Sequence, residues 1–86
     1  MNIEDEIYDR LNALAPTSIA LEDESSQHAG HAGAAGGKHY RLTIVSGQFE
    51  GLGAVARHRL VYETLGDLMR KGIHALAINA YAPNEF

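Results

Sequence analysis

The sequence predicts a small α/β (α+β) domain with a three-stranded mixed sheet and helices on one of its faces. Three observations lead there. Apolar residues recur at helical spacing near the start of the chain, a clean period-two alternation marks its middle, and a strand, a helix and a strand follow one another at its end. The 86 residues leave room for one domain, taken as 1–86, with one core.

The first element reads as an amphipathic helix. Ile3, Ile7, Leu11 and Leu14 share one face, Asn2 suits the N-cap, and Glu4, Asp5 and Glu6 suit the positive end of the helix dipole. Pro16 ends the helix. Residues 18–23 (SIALED) form a short strand in which Ile19 and Leu21 alternate with small or polar residues.

Residues 24–37 read ESSQHAGHAGAAGG. The run has no large apolar side chain to offset the entropy of ordering, so no packed element is expected from it. Structureless connections longer than about 12–15 residues are uncommon in compact domains and usually functional or disordered. Residues 38–46 then form the clearest strand. Tyr40, Leu42 and Ile44 lie on one face, with His39, Arg41, Thr43 and Val45 on the other. The two strands and the long connection read as a wide antiparallel hairpin.

Gly47 to Gly53 is turn-rich, with room for a short extra helical turn after Gly51. A second helix is expected from about residue 54 to 70 or 71, its apolar stripe made by Ala54, Val55, Val61, Leu65, Leu68 and Met69, with Gly72 as its stop. Residues 73–81 form a last strand, apolar on both faces, closed by Pro83. A strand, helix and strand in that order make a right-handed crossover between parallel strands, which puts the second strand in the middle of the sheet.

Composition excludes several functions. The formal charge of −4 does not favour a nucleic-acid binder. With no cysteine, the chain makes neither a disulfide nor a thiolate metal site of its own. No run approaches the ~18 apolar residues of a membrane helix, and the acidic start does not resemble a signal peptide; the chain reads as cytoplasmic. An enzyme is not expected. Ser25 and Ser26 lie in a soft loop, Ser46 lacks a strand-to-helix elbow, and the glycines after the second strand are not followed by the Lys-Ser/Thr of a phosphate loop.

The five histidines are the remaining chemistry. His28 and His31 are either ligands or exposed rings on a flexible tether; the loop leaves both readings open. His39 reads as a solvated strand residue. His58, beside the apolar stripe, reads as a structural histidine at the core edge. His74 opens the last strand after a helix-ending glycine and shares its face with Leu76 and Ile78, either as a rigid ligand or as a core-edge ring bonded to backbone. Arg57 and Arg59 flank His58 and suit phosphate, an acidic partner or plain solvent.

Together, Asp23-Glu24-Ser25, His28, Phe49-Glu50-Gly51, the run Arg57-His58-Arg59-Leu60-Val61-Tyr62, the run Ile73-His74-Ala75-Leu76-Ala77, and Ala82-Pro83 resemble BolA-like proteins in order and spacing, over nearly the whole chain. The resemblance implies an α-β-β-α-α-β fold related to the type II KH domain. It also implies a monothiol glutaredoxin partner and a [2Fe–2S] cluster shared with that partner and glutathione, in iron–sulfur trafficking or in iron and stress regulation. The metal ligands it implies are His74 and, from a histidine-type loop, His28, with His31 as the alternative. No cofactor is expected on the isolated chain, a monomer. Histidine in place of thiolate raises the potential of a cluster iron, as Rieske centres show. Some members of the family regulate transcription on DNA; Arg57, Arg59, Arg70 and Lys71 are the basic positions for that alternative. Two departures stand out. Lys38-His39-Tyr40 replaces the family's Ser-His-Phe, and no G-x-x-G clamp follows the second strand, which argues against single-stranded RNA.

Overall fold

A computed structural model of the chain describes residues 2–24 and 38–85. Helix α1 (Ile3–Leu11) starts where the sequence places it, with the Asn2 side chain accepting a hydrogen bond from the Asp5 N–H at 2.8 Å. A 3₁₀ turn (Asn12–Leu14) continues it, and Ala15, at φ 47°, breaks the helical path before Pro16. Strand β1 (Ser18–Asp23) runs antiparallel to β2 (Lys38–Val45), which pairs in parallel with β3 (Ile73–Tyr81). The sheet order is β1-β2-β3, so the second strand is central, antiparallel to β1 and parallel to β3 across the helical crossover.

One face of the sheet carries the core. Tyr40, Leu42 and Ile44 of β2 are buried against Ile7, Leu11 and Leu14, with Phe49, Val61, Leu65 and Leu68 completing the cluster. Leu76, Ile78 and Ala80 of β3 and Ile19 and Leu21 of β1 extend it. The Tyr40 hydroxyl donates to Glu4 at 2.9 Å, and burial together with that carboxylate pushes the phenol well above its ordinary range. The opposite face bears no helix and carries Glu22, Arg41, Thr43, Ala77 and Asn79.

The second helical stretch differs from the single helix its apolar period predicts and agrees with the two helices the family resemblance implies. It is two helices, α2 (Ala54–Leu65) and α3 (Leu68–Lys71), separated at Gly66. Gly66 adopts φ 57°, ψ −127°, a conformation costly for residues with a Cβ. The Arg10 guanidinium donates to the Leu65 carbonyl at 2.9 Å and to Asp67 at 3.1 Å, satisfying the exposed end of α2. The observed order is therefore α-β-β-α-α-β. Val55 lies 70% exposed rather than in the buried stripe, and the extra 3₁₀ turn (Gly47–Phe49) precedes Gly51 instead of following it.

One irregularity bears on function. The β2–β3 register pairs Lys38 with Ile73 and His39 with Ala75, so His74 is the extra residue of a β-bulge.

Candidate functional site

The bulge overturns the expectation that His74 shares its face with Leu76 and Ile78. In an unbroken strand, residues 74, 76 and 78 would alternate together toward the helices. Here Ile73 is buried, Leu76 and Ile78 pack on the core, and His74 is exposed. Its imidazole lies with its centroid 5.1 Å from that of His39, the rings tilted by 43°. A bulge of this kind re-aims one side chain without disturbing the ladder beyond it.

His39, read from the sequence as simply solvated, is thus half-buried beside His74. No pattern in the sequence joins the two, which lie on different strands; the register and the bulge bring them together.

This corner is also where the chain leaves and re-enters the sheet around the 24–37 run. The Glu24 N–H donates to the His39 carbonyl at 2.7 Å, and the Lys38 N–H donates to the Gly72 carbonyl at 3.2 Å. Ion pairs reinforce both ends: Lys38 with Asp23 at 3.4 Å and Arg41 with Glu24 at 3.0 Å. The Glu24 carboxylate holds the Arg41 guanidinium above its ordinary pKa. The expected ligands His28 and His31 lie outside the described residues. Both ends of the connection that carries them are anchored next to His39 and His74.

Among the described residues no three His, Cys, Asp or Glu side chains are grouped as a metal would need. These residues can therefore supply part of a coordination sphere, not all of it. What they offer at this corner is imidazole nitrogen, the borderline donor that suits iron, copper, nickel and zinc.

The basic residues have different fates. Arg57, expected among the nucleic-acid contacts, is an internal clasp. It donates to the Leu52 carbonyl at 2.8 Å, the Ala80 carbonyl at 3.0 Å and both oxygens of Glu85, and its side chain is only 12% exposed. The bidentate pair raises Arg57 further; Glu85 is held down to about 2 by Arg57 and by the Ala82 N–H. Lys71 pairs with Asp67 at 2.9 Å, which Lys71 and Arg10 together hold below the usual carboxylate range. Arg59 and Arg70 are exposed. His58 is half-exposed and, rather than edging the core, lines an open surface groove of about 320 Å³ with Val55, Arg59, Tyr62 and Glu63.

Residues 11–85 match the family model described as BolA-like protein. The chain belongs to the BolA-like family. It is 46% identical over 76 residues to Protein BOLA1, chloroplastic, of Arabidopsis thaliana, covering 84% of this chain and 48% of that one. It is 40% identical over 85 residues to the DNA-binding transcriptional regulator BolA of Vibrio cholerae, covering 98% of this chain and 78% of the relative. Among solved structures, BolA1 from Arabidopsis thaliana superposes with a TM-score of 0.84 at 37% identity, covering 100% of this chain and 98% of that one. The BolA domain of SufE1 from the same plant gives 0.82 at 43% identity, covering 95% and 93%. This chain spans about half the length of BOLA1 and 21% of the SufE-like protein 1 it matches. Some BolA-like relatives are thus domains of longer proteins, including ones named for chloroplasts and mitochondria. No helix among the described residues is long and apolar enough to cross a membrane.

Proposed function

We propose that this BolA-like chain is a non-enzymatic cytoplasmic adaptor that pairs with a monothiol glutaredoxin. In this reading it contributes histidine ligands to a [2Fe–2S] cluster, with the thiolates coming from the glutaredoxin and from glutathione. His74 is the ligand from the sheet, and His28 the ligand from the connection, with His31 as its alternative. The role is cluster trafficking or iron and stress regulation.

The observation that carries the reading is the bulge. It turns His74 outward, on a strand, at the corner where the His28-bearing connection is anchored. Ligands on strands are held more precisely than ligands on loops. A rigid imidazole beside a chain segment able to bring a second one is a suitable half-site for a cluster completed by another protein. When bound, the cluster would supply redox and iron chemistry. The chain's own part is to present and orient imidazole nitrogen. A relationship to a BolA domain within a SufE-like protein supports a sulfur-cluster setting.

The test is to reconstitute a cluster on a monothiol glutaredoxin with glutathione, add the chain, and follow visible absorption and circular dichroism. The spectra should change on addition, and His74→Ala should remove the change. His28→Ala and His31→Ala then identify the ligand from the connection. Spectra that ignore the chain, or that respond equally to a His28→Ala, His74→Ala double variant, overturn the reading.

The name of the Vibrio cholerae relative favours a second reading, DNA binding. With Arg57 engaged in its clasp, that reading rests on Arg59, Arg70 and Lys71. Duplex affinity should fall steeply with salt, and Arg59→Ala should reduce both affinity and the salt slope. Binding that ignores salt rules it out.

A further inference from the structure

We propose that His39 and His74 form a two-imidazole chelate for a divalent first-row transition-metal ion in the chain without a partner. A metal bound to imidazole lies about 2.0–2.1 Å from the ligating nitrogen, hence about 3.2 Å from the ring centre. Two imidazoles sharing one such ion have ring centres about 5.2 Å apart at a tetrahedral angle and about 4.5 Å apart at a right angle. The separation between His39 and His74 is 5.1 Å. The two rings already stand at the spacing a shared metal would impose.

The placement is built rather than incidental. His39 belongs to the central strand and His74 to its parallel neighbour, so backbone ladders hold both Cα positions. The bulge at His74 is what opposes the rings. Without it His74 would alternate onto the helix-covered face, away from His39. Each ring needs only one of its two nitrogens for a metal, and a hydrogen bond at the other orients the ring and strengthens the donor. The neighbouring cation is compensated, since Lys38 pairs with Asp23 at 3.4 Å. Water completes the sphere, because no third donor is grouped with the pair among the described residues.

Two imidazole nitrogens as the protein's donors select the ion. Copper, nickel and zinc suit imidazole; magnesium and calcium require oxygen. A consequence follows that rests on the adaptor reading. His74 cannot serve the chelated ion and a cluster at once, so metal on this pair would hold the chain off the shared cluster.

The experiment uses the untagged full chain alone, titrated with Cu²⁺, Ni²⁺, Zn²⁺ and Mg²⁺. Calorimetry reads the affinity, and the imidazole Cε1–H resonances, followed with Zn²⁺, report the ligands. One ion should bind per chain, with Cu²⁺ tightest and Mg²⁺ not binding. The His39 and His74 resonances should shift together. His39→Ala, His39→Gln and His74→Ala should each weaken binding at least tenfold, with unchanged far-ultraviolet circular dichroism. The proposal fails if the His39 resonance does not respond. It also fails if His39→Gln binds like the wild type, or if the site vanishes only in a His28→Ala, His31→Ala variant. Because no glutaredoxin is present, failure here leaves the cluster reading standing. Cluster spectra that ignore the chain despite intact chelation would overturn the cluster reading alone.

Discussion

The two ends of the β2–β3 ladder are built for different purposes. At the Val45–Tyr81 end the strands stay in register and the chain is closed off. The Ser46 N–H donates to the Tyr81 carbonyl at 2.9 Å, and the buried Ser46 hydroxyl donates to the Leu14 carbonyl at 2.6 Å. That hydroxyl also accepts from the Gln48 N–H at 3.1 Å, while Arg57 and Glu85 clasp the C-terminal turn Pro83–Glu85. At the Lys38–Ile73 end the register slips at a bulge and two imidazoles stand at the surface. Saturated polar groups at the first end specify structure. At the second, the same backbone ladder holds two imidazoles side by side. Polar residues in a fold differ in function chiefly by what the strand register places beside them.

The comparison can be broken from its closed end first. Phe49 is fully buried behind Ser46, and Phe49→Ala should cost about 3–5 kcal/mol, read by chemical denaturation. Ser46→Ala leaves the buried Leu14 carbonyl without its donor and should cost about 1–3 kcal/mol in the same measurement. Gly66→Ala, at the helix break, should cost a similar amount, because its φ is positive and an added Cβ would meet the Arg10 guanidinium at 3.2 Å.

The clasp sharpens the comparison through pH. The Glu85 carboxyl is lowered from 4.5 to about 2 in the folded chain. A depressed carboxyl stabilises the fold above its unfolded pKa and loses that contribution as pH falls through the folded one. The wild-type Tm should therefore drop more steeply than that of Glu85→Gln between about pH 4.5 and 2, the two curves converging at the acid end. Parallel curves would show that the clasp does not couple to folding.

The open end should give the smallest effect on stability. His74→Ala, at an exposed position, should change unfolding free energy by no more than about 0.5 kcal/mol, yet abolish the spectral response of a glutaredoxin-bound cluster. A large destabilisation would mean that this end is structural after all.

Much of the fold was legible in the sequence, because each element carries its own period. Strands β1 and β3 match their expected limits, β2 falls one residue short, and the central place of β2 follows from pairing with its sequence neighbours on both sides. The break at Gly66 was hidden because Leu65, Leu68 and Met69 keep a helical period across it. The direction of His74 is not legible in the sequence, since Ile73-His74-Ala75-Leu76 alternates as though no residue were extra. His39 reads as merely solvated because its partner lies on another strand. Arg57 read as a free cation because Glu85, its partner, is 28 residues away.

The sequence by itself determined the class of the fold, the strand order, the core face and the absence of any thiolate ligand of the chain's own. These depend on local periodicity and composition, which a chain carries wherever it folds. The tertiary structure decided which histidines meet and which arginine is occupied. Both depend on register between strands distant in the chain, and a one-residue slip there sends a side chain to the other face.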